Sequence, residues 1–416
     1  MRSDQAVGAT DEDYFDFVDG MTQVPGHDVA DLSPRLARLR AQGPVHEGKM
    51  WELLGLGTAP NRTRSEAARD FAVVGFDAAT QLLRDGTQVS SRIWQKTAEV
   101  TWGYSIVVMD DPDHRRHRAL IEQAFTRHAM ENLDRDLIVP IVEQIVDRFA
   151  GRRRADLVRE FTFRFPILII AKLLGLPDAD IKQYHVWGSE VILFDQFERA
   201  VRASIALGDY LLPIIEDRRA APRGDMISAL AEVELDGERL SNDAIIAFLR
   251  NLVTAGAETT YSSTGSLLFG LLTNPDQLDA LRSDRSLMPQ AIEEGIRWQP
   301  PLTNVRRALT RDVELAGTHM PGGSFVYVSL ASANRDESRW DHPEDFDIHR
   351  DRHAHLAFGF STHMCLGMHL ARAETAAAIA ALIDRLPNLR LDPDAPAPAI
   401  TGVSFRRPKT LPVVWD

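Results

Sequence analysis

The 416-residue chain is expected to be mainly α with small β-sheets, an α+β protein in one large domain. Three observations carry that expectation. Leu, Ala and Ile recur at helical spacing over most of the length. One stretch, Ile245 through Leu272, keeps that repeat for about seven turns, so it must cross the middle of the molecule. Strand-like alternation is confined to short pieces, and no Pro/Gly/Ser-rich linker divides residues 1–416 into separate units.

Taken in order, residues 1–60 read as irregular chain with one short helix near Pro34–Gln42. Phe71-Ala-Val-Val-Gly75 has the apolar, β-branched content of a short strand and leads into a helix at Asp77–Arg84. Val89–Val108 is rich in Trp, Tyr, Ser and Thr without a clean period, which marks a binding loop. From Asp113 to Arg219 several helical patterns are broken at Pro140, Pro166, Pro177 and Pro213, where a donor is missing; antiparallel helices are the simplest account. Ser241 has the hydroxyl of an N-cap for the long run that follows. A helix is expected at Met288–Trp298, stopped by Pro300-Pro301. Strand-like Asp312–Leu315 and Phe325–Ser329 flank a turn at Pro321-Gly322-Gly323. The last long helix is Met368–Leu386, and Leu411–Trp415 reads as a strand.

A net charge of −13 opposes general affinity for nucleic acid or an anionic membrane. The basic clusters Arg115-Arg116 and Arg152-Arg153-Arg154 are expected to be solvated faces. No segment approaches the roughly 20 apolar residues of a membrane span. The N-terminus lacks an apolar export signal and continues through an acidic stretch (Asp11, Glu12, Asp13, Asp16, Asp19), so a cytoplasmic location is expected.

Chemistry concentrates at the only cysteine, Cys365, in the stretch Phe358-Gly-Phe-Ser-Thr-His-Met-Cys-Leu-Gly367. A lone cysteine is usually a small buried hydrophobe. Here it precedes a helix start, where free amides and the helix dipole favour a thiolate. Gly359 and Gly367 permit a tight loop, and His363 can reach an anionic group at the edge of a flat ligand. One sulfur cannot make an internal disulfide, and a zinc or iron–sulfur site would require more ligands, whereas haem iron needs only one thiolate. In the long helix, Ala255-Gly256-Ala257-Glu258-Thr259-Thr260 places small residues, a carboxylate and a hydroxyl together. Gly256 suggests a bulky group flat against the backbone, and Thr259 can bond back to the carbonyl of residue 255. An acid beside an alcohol in a cleft is a proton-relay arrangement, although a small-faced packing surface would look alike. Glu294 and Arg297 share a helix face among apolar neighbours and are expected to form a structural clamp.

These residues, with Ala333-Asn-Arg-Asp336 and Phe346-Asp-Ile348, stand in one order along the chain from about residue 70 onward, and in that order they resemble the cytochromes P-450, the haem-thiolate monooxygenases, in their soluble bacterial form. The resemblance implies the P-450 fold, with haem b (iron protoporphyrin IX) between the long central helix and the cysteine loop. It implies Cys365 as the proximal ligand to iron, Phe358 as the aromatic that shields the sulfur, and His114, Arg118, Arg307 and His363 as donors to the propionates. Ala255, Gly256 and Gly367 would lie against the haem, Glu258 and Thr259 would be the acid–alcohol pair, and Glu294 and Arg297 the stabilising pair. One departure is Ser361, where the family usually has glycine.

A thiolate ligand pushes electron density onto iron and favours O–O cleavage, so the implied reaction is insertion of one atom of O2 into a C–H bond. Electrons are expected from NAD(P)H through a ferredoxin or flavodoxin and its reductase, since the chain carries no flavin or iron–sulfur motif. Arg115, Arg116, Arg352 and Arg372 could meet such an acidic partner. A peroxide-driven enzyme, a haem-based gas sensor and a cysteine hydrolase using His363 as base are the competing readings. The substrate pocket is expected from Trp94, Val100, Trp102, Tyr104, Trp187, Leu193, Phe194, Phe248, Val253, Thr303 and Asn304, mostly apolar and therefore suited to a hydrophobic small molecule.

Overall fold

The computed structural model describes residues 11–22, 25–58, 69–95, 98–124 and 133–416. The opening ten residues, and Lys96 and Thr97 of the expected binding loop, lie outside the described residues. The organising element is the helix Asn242–Thr273, whose first turn is capped as the sequence predicts: the Ser241 hydroxyl accepts the Ala244 amide at 3.1 Å. Its first half, Ile245 to Ala257, is buried in a core with helices Phe165–Leu173, Ile181–Glu190, Phe197–Ala220 and Met226–Glu232. Its second half, Tyr261 to Leu272, belongs to another core with Val139–Asp147, Met288–Trp298 and Met368–Arg385. Glu258 and Thr259 sit at the seam between the two.

A five-stranded sheet covers a third core of Phe71, Val73, Leu309, Val326 and Val328. Its strand order is Val45–Glu47, Asp70–Val73, Phe325–Ser329, Asn304–Leu309, Val89–Ser90. Only the pairing of Asp70–Val73 with Phe325–Ser329 is parallel, and Arg306 and Arg307 stand opposite Tyr327 and Val326. The C-terminal strand Pro412–Val414 lies between Arg390–Leu391 and Arg154–Asp156 in a smaller sheet. The chain is thus mainly helical with small sheets.

Three expectations change. Pro213 does not break its helix, because Phe197–Ala220 runs through it. Pro213 and Asp209 are both exposed, so the carbonyl four residues back that loses its donor faces water. The acidic N-terminal stretch is not irregular but a helix, Asp11–Thr22, anchored by buried Phe15 and Val18. The Val89–Val108 loop contains the strand Val89–Ser90, a short turn Ser91–Trp94 and the helix Ala98–Trp102. Among the described residues, no helix is long and apolar enough to cross a membrane.

Candidate active site around Cys365

The cysteine loop is tied to itself by backbone bonds. Gly359 N–H donates to Leu356 O at 2.8 Å, Met364 to Ser361 O at 3.0 Å and Cys365 to Phe358 O at 2.7 Å. Two residues take left-handed backbone, Gly359 at φ +75° and Ser361 at φ +60°. The serine therefore keeps the conformation that a glycine would adopt without strain. Cys365 stands three residues before the helix Met368–Arg385, whose N-cap is Gly367. The residue is exposed, yet enough protein surrounds it that burial pushes the thiol up, opposed by the Gly367 amide and by Arg118 and Arg372. An exposed side chain so enclosed faces a cleft inside the molecule. Its neighbour Leu366 packs on the core shared by the first half of the central helix and the helices around it.

Phe358 lies under the Arg372 guanidinium, 4.5 Å from the ring centre. Arg372 in turn grips Glu293 with two bonds of 2.6 and 2.9 Å, and His355 adds a third at 3.1 Å. Burial works upward on the Glu293 carboxyl, but Arg372 and His355 together outweigh it and bring it to about 2.

Along one edge of this loop, two arginines and two histidines crowd together. The His114 and His363 rings are 4.1 Å apart, with His363 Nε2 3.1 Å from the Ser91 hydroxyl. Burial, then Arg307, His114 and Arg118, depress His363 to about 2. Burial also lowers Arg307 to about 10 against the pull of Asp110, and its guanidinium donates to Arg306 O at 2.8 Å. His114, 2% exposed, is lowered by burial and by Arg118, and its Nε2 has no partner among the described residues. Arg118 holds Glu122 at 2.6 Å. Three separate elements thus converge two arginines and two imidazoles, one of them with an orphaned buried nitrogen, and this donor set fits a pair of carboxylates at the edge of a bound group. The same crowding keeps His363 neutral and engaged with Ser91, which makes it a poor base for a cysteine hydrolase.

On the central helix, Ala255 is exposed although its helix is otherwise mostly buried, and Thr259 Oγ1 donates to Ala255 O at 2.6 Å. These two residues, one turn apart, share one face of the helix. Gly256 does not: a Cβ there would meet Ile170 Cδ1 at 2.6 Å, so its glycine serves contact with the helix Phe165–Leu173 rather than a flat ligand. Glu258 turns away from Thr259 into an ion pair with Arg407, which also bonds Asp19 at 2.9 Å. Burial raises the Glu258 carboxyl, Arg407 lowers it and Asp19 raises it again.

Glu294 and Arg297 form a bidentate pair of 2.7 and 2.8 Å, each side chain 3% exposed. Arg297 further donates to the carbonyls of Asn334, Pro343 and Asp345 at 3.0, 2.9 and 3.1 Å. The pair therefore ties the helix Met288–Trp298 to the loop leading to the cysteine.

Of the expected pocket residues, Trp94 and Trp102 both pack on Phe194, at 6.5 and 5.8 Å between ring centres, and Arg306 lies 5.4 Å over Trp94. Phe248 and Leu193 are buried in separate cores. The Tyr104 hydroxyl is spent on Asp113 at 2.9 Å and Thr303 on Val403 O at 2.5 Å, with Asn304 bonded to Thr303 at 3.0 Å. Trp187 packs on Tyr210, Val253 fills the space beside Gly188, and Val100 is exposed. Of the four cations expected to meet a partner, Arg115, Arg116 and Arg372 are paired with Asp111, Glu238 and Glu293. Sequence reasoning missed Asp19 and Arg407. Tyr14, Phe15 and Val18 at helical spacing were the available signal for the first; nothing local marks the second.

A family profile for Cytochrome P450 matches residues 189–409. Cytochrome P450 107B1 of Saccharopolyspora erythraea is 41% identical over 283 residues, covering 68% of this chain and 70% of its own. Cytochrome P450 monooxygenase PikC of Streptomyces venezuelae is 35% identical over 403 residues, 93% and 91% of the two chains. Among solved structures, CYP109E1 of Bacillus megaterium in complex with testosterone superposes with a TM-score of 0.81 at 28% identity, over 92% of this chain and 99% of that one.

Proposed function

Because the chain belongs to the cytochrome P450 family of haem-bearing monooxygenases, we propose that it binds haem b through Cys365 and inserts one atom of O2 into a C–H bond of a hydrophobic small molecule. The observation that carries this reading is Cys365, exposed yet enclosed by protein, with His114, Arg118, Arg307 and His363 gathered beside its loop and His114 Nε2 left without a partner among the described residues.

When bound, the haem supplies O2 activation and oxidising power toward C–H bonds, which no side chain has. The protein's part is holding, shielding and proton supply. The Gly367 amide and the charges of Arg118 and Arg372 favour the thiolate form of Cys365, and Phe358 covers it. His114, Arg118, Arg307 and His363 would bond the two carboxylates of the porphyrin, relieving their own mutual repulsion. Thr259, whose hydroxyl donates to Ala255 O and keeps its oxygen lone pairs to accept, would hold a proton passed inward by Glu258, one residue before it. The aromatic group of Trp94, Trp102 and Phe194 supports a hydrophobic substrate, as does the testosterone bound by a structural relative; dealkylation and epoxidation are open to the same chemistry. Electrons would come from NAD(P)H through a ferredoxin or flavodoxin and its reductase in the cytoplasm, with exposed Arg352 the cation best placed for contact, having no partner among the described residues. Residues 1–416 would act as one domain.

The test is Cys365→Ser in the haem-reconstituted protein. The expected result is loss of the thiolate-type carbon monoxide spectrum and of oxygenation, with far-UV circular dichroism unchanged. An unaltered spectrum would refute the assignment.

A further inference from the structure

The N-terminal helix Asp11–Thr22 packs against the helix Ile181–Glu190 and reaches the proton-relay motif through Arg407. The Tyr14 hydroxyl and His185 Nδ1 are 2.5 Å apart, Phe15 meets Phe163 at 4.7 Å between ring centres, and Asp16 pairs with Arg159 at 2.7 Å. Its last charged residue, Asp19, reaches the guanidinium that also holds Glu258: Arg407 Nη2 bonds Asp19 Oδ1 at 2.9 Å while Nη1 bonds Glu258 Oε1. The three side chains are largely shielded, 19%, 12% and 13% exposed for Asp19, Arg407 and Glu258. The Arg407 guanidinium also rests 4.9 Å over the Tyr261 ring.

Two carboxylates therefore divide one guanidinium in a place poor in water. A carboxylate with sole possession of a buried arginine is pinned and stays ionised, which would make it useless as a proton carrier. A shared arginine holds each carboxylate less firmly, and the negative charge of the second makes a proton on the first less costly. The other charged groups nearby are otherwise engaged: Arg159 with Asp16, Glu160 with Arg152, His185 with Tyr14. On the central helix itself, Tyr261 and Ser262 are the polar neighbours of Glu258.

We propose that Asp19 is a positioning residue for proton delivery: by sharing Arg407 it leaves the Glu258 carboxyl able to detach and exchange a proton. The N-terminal helix would thus set the readiness of the relay through Arg407. This rests on the reading of Glu258 as the proton carrier.

The experiment compares Asp19→Asn, Asp19→Glu and Glu258→Gln with the parent in the full-length, haem-loaded protein. Infrared titration follows the protonated-carboxyl band that disappears in Glu258→Gln, and the solvent deuterium isotope effect is read on NADPH oxidation with ferredoxin and ferredoxin reductase. The expected result is that Asp19→Asn moves the band's titration to lower pH, enlarges the isotope effect and slows turnover on the order of tenfold, short of the roughly 10² or more lost by removing a general acid. Asp19→Glu should restore all three. If Asp19→Asn lowers only the melting temperature and leaves the Glu258 band in place, the inference is overturned and Asp19 is a structural tie. If Glu258→Gln itself leaves turnover and isotope effect unchanged, the relay reading fails instead.

Discussion

Loss of Arg297 should damage the fold much more than loss of the Glu294 charge, although the two form one ion pair. The pair is 3% exposed on both sides, so breaking it from either end takes its main partner from a buried charge, at about 3–5 kcal/mol, although Glu294 Oε1 also accepts Arg350 Nε at 3.3 Å. The remaining partners differ. Without Arg297, the carbonyls of Asn334 and Pro343 lose their side-chain donor, at about 1 kcal/mol each, while the third, Asp345 O, keeps Arg350 Nη2 at 3.1 Å. In Glu294→Gln the arginine keeps all three, and the oxygen of the new side-chain amide can still accept the Asp347 amide that Glu294 Oε1 holds at 2.9 Å. The expected costs are about 5 kcal/mol or more for Arg297→Ala and about 3 kcal/mol for Glu294→Gln. Against a total stability of about 5–15 kcal/mol, the first variant is near the limit of folding and the second is not. Urea unfolding followed by far-UV circular dichroism measures both. Equal costs, or a loss under about 2 kcal/mol for Arg297→Ala, would refute the idea that the carbonyl contacts make the arginine the stronger half.

Ser361→Gly should raise the melting temperature slightly, because glycine relieves a left-handed strain of about 1–2 kcal/mol while its looser unfolded chain returns about 0.4–1 kcal/mol; calorimetry showing a fall would count against strain at φ +60°. Gly256→Ala should destabilise by overpacking against Ile170, about 1–3 kcal/mol less the ~1 kcal/mol that alanine contributes as a helix former. Adding Ile170→Val, which deletes the clashing Cδ1, should restore the urea midpoint, and a stabilising single variant would show that the glycine is not needed for this contact. His185, buried and lowered to about 4, should make stability fall with acid. Its neutral form is favoured in the fold, so the contribution is complete above about pH 6.5 and is lost as pH drops toward 4, up to about 3 kcal/mol. A His185→Phe protein should lose that part of the pH slope in melting temperature between pH 6.5 and 4; an unchanged slope would refute it.

Much of the architecture could be read without coordinates because its signals are local. Ser241 as a cap, Met288–Trp298 as a helix ended by Pro300-Pro301, and Phe325–Ser329 as a strand all follow from residues within a turn of one another. The Glu294–Arg297 pair was equally visible, since three residues on a helix fix two side chains on one face. Pro213 misled because a proline rule describes the missing bond and not whether water can replace it. The acidic N-terminal segment misled because its charge hid a helix held by only a few buried side chains.

The amino-acid order by itself therefore determined the helical frame, the cysteine loop and the chemical classes gathered in it. What only the three-dimensional packing decided was which groups share a neighbour: that Gly256 answers to Ile170, that Thr303 is spent on Val403, and that Arg407, 149 residues beyond Glu258, is divided with Asp19. Local spacing constrains side chains on one element because backbone geometry is periodic, whereas meetings between distant segments depend on how whole faces pack, and the charge state of a buried group is set by those meetings.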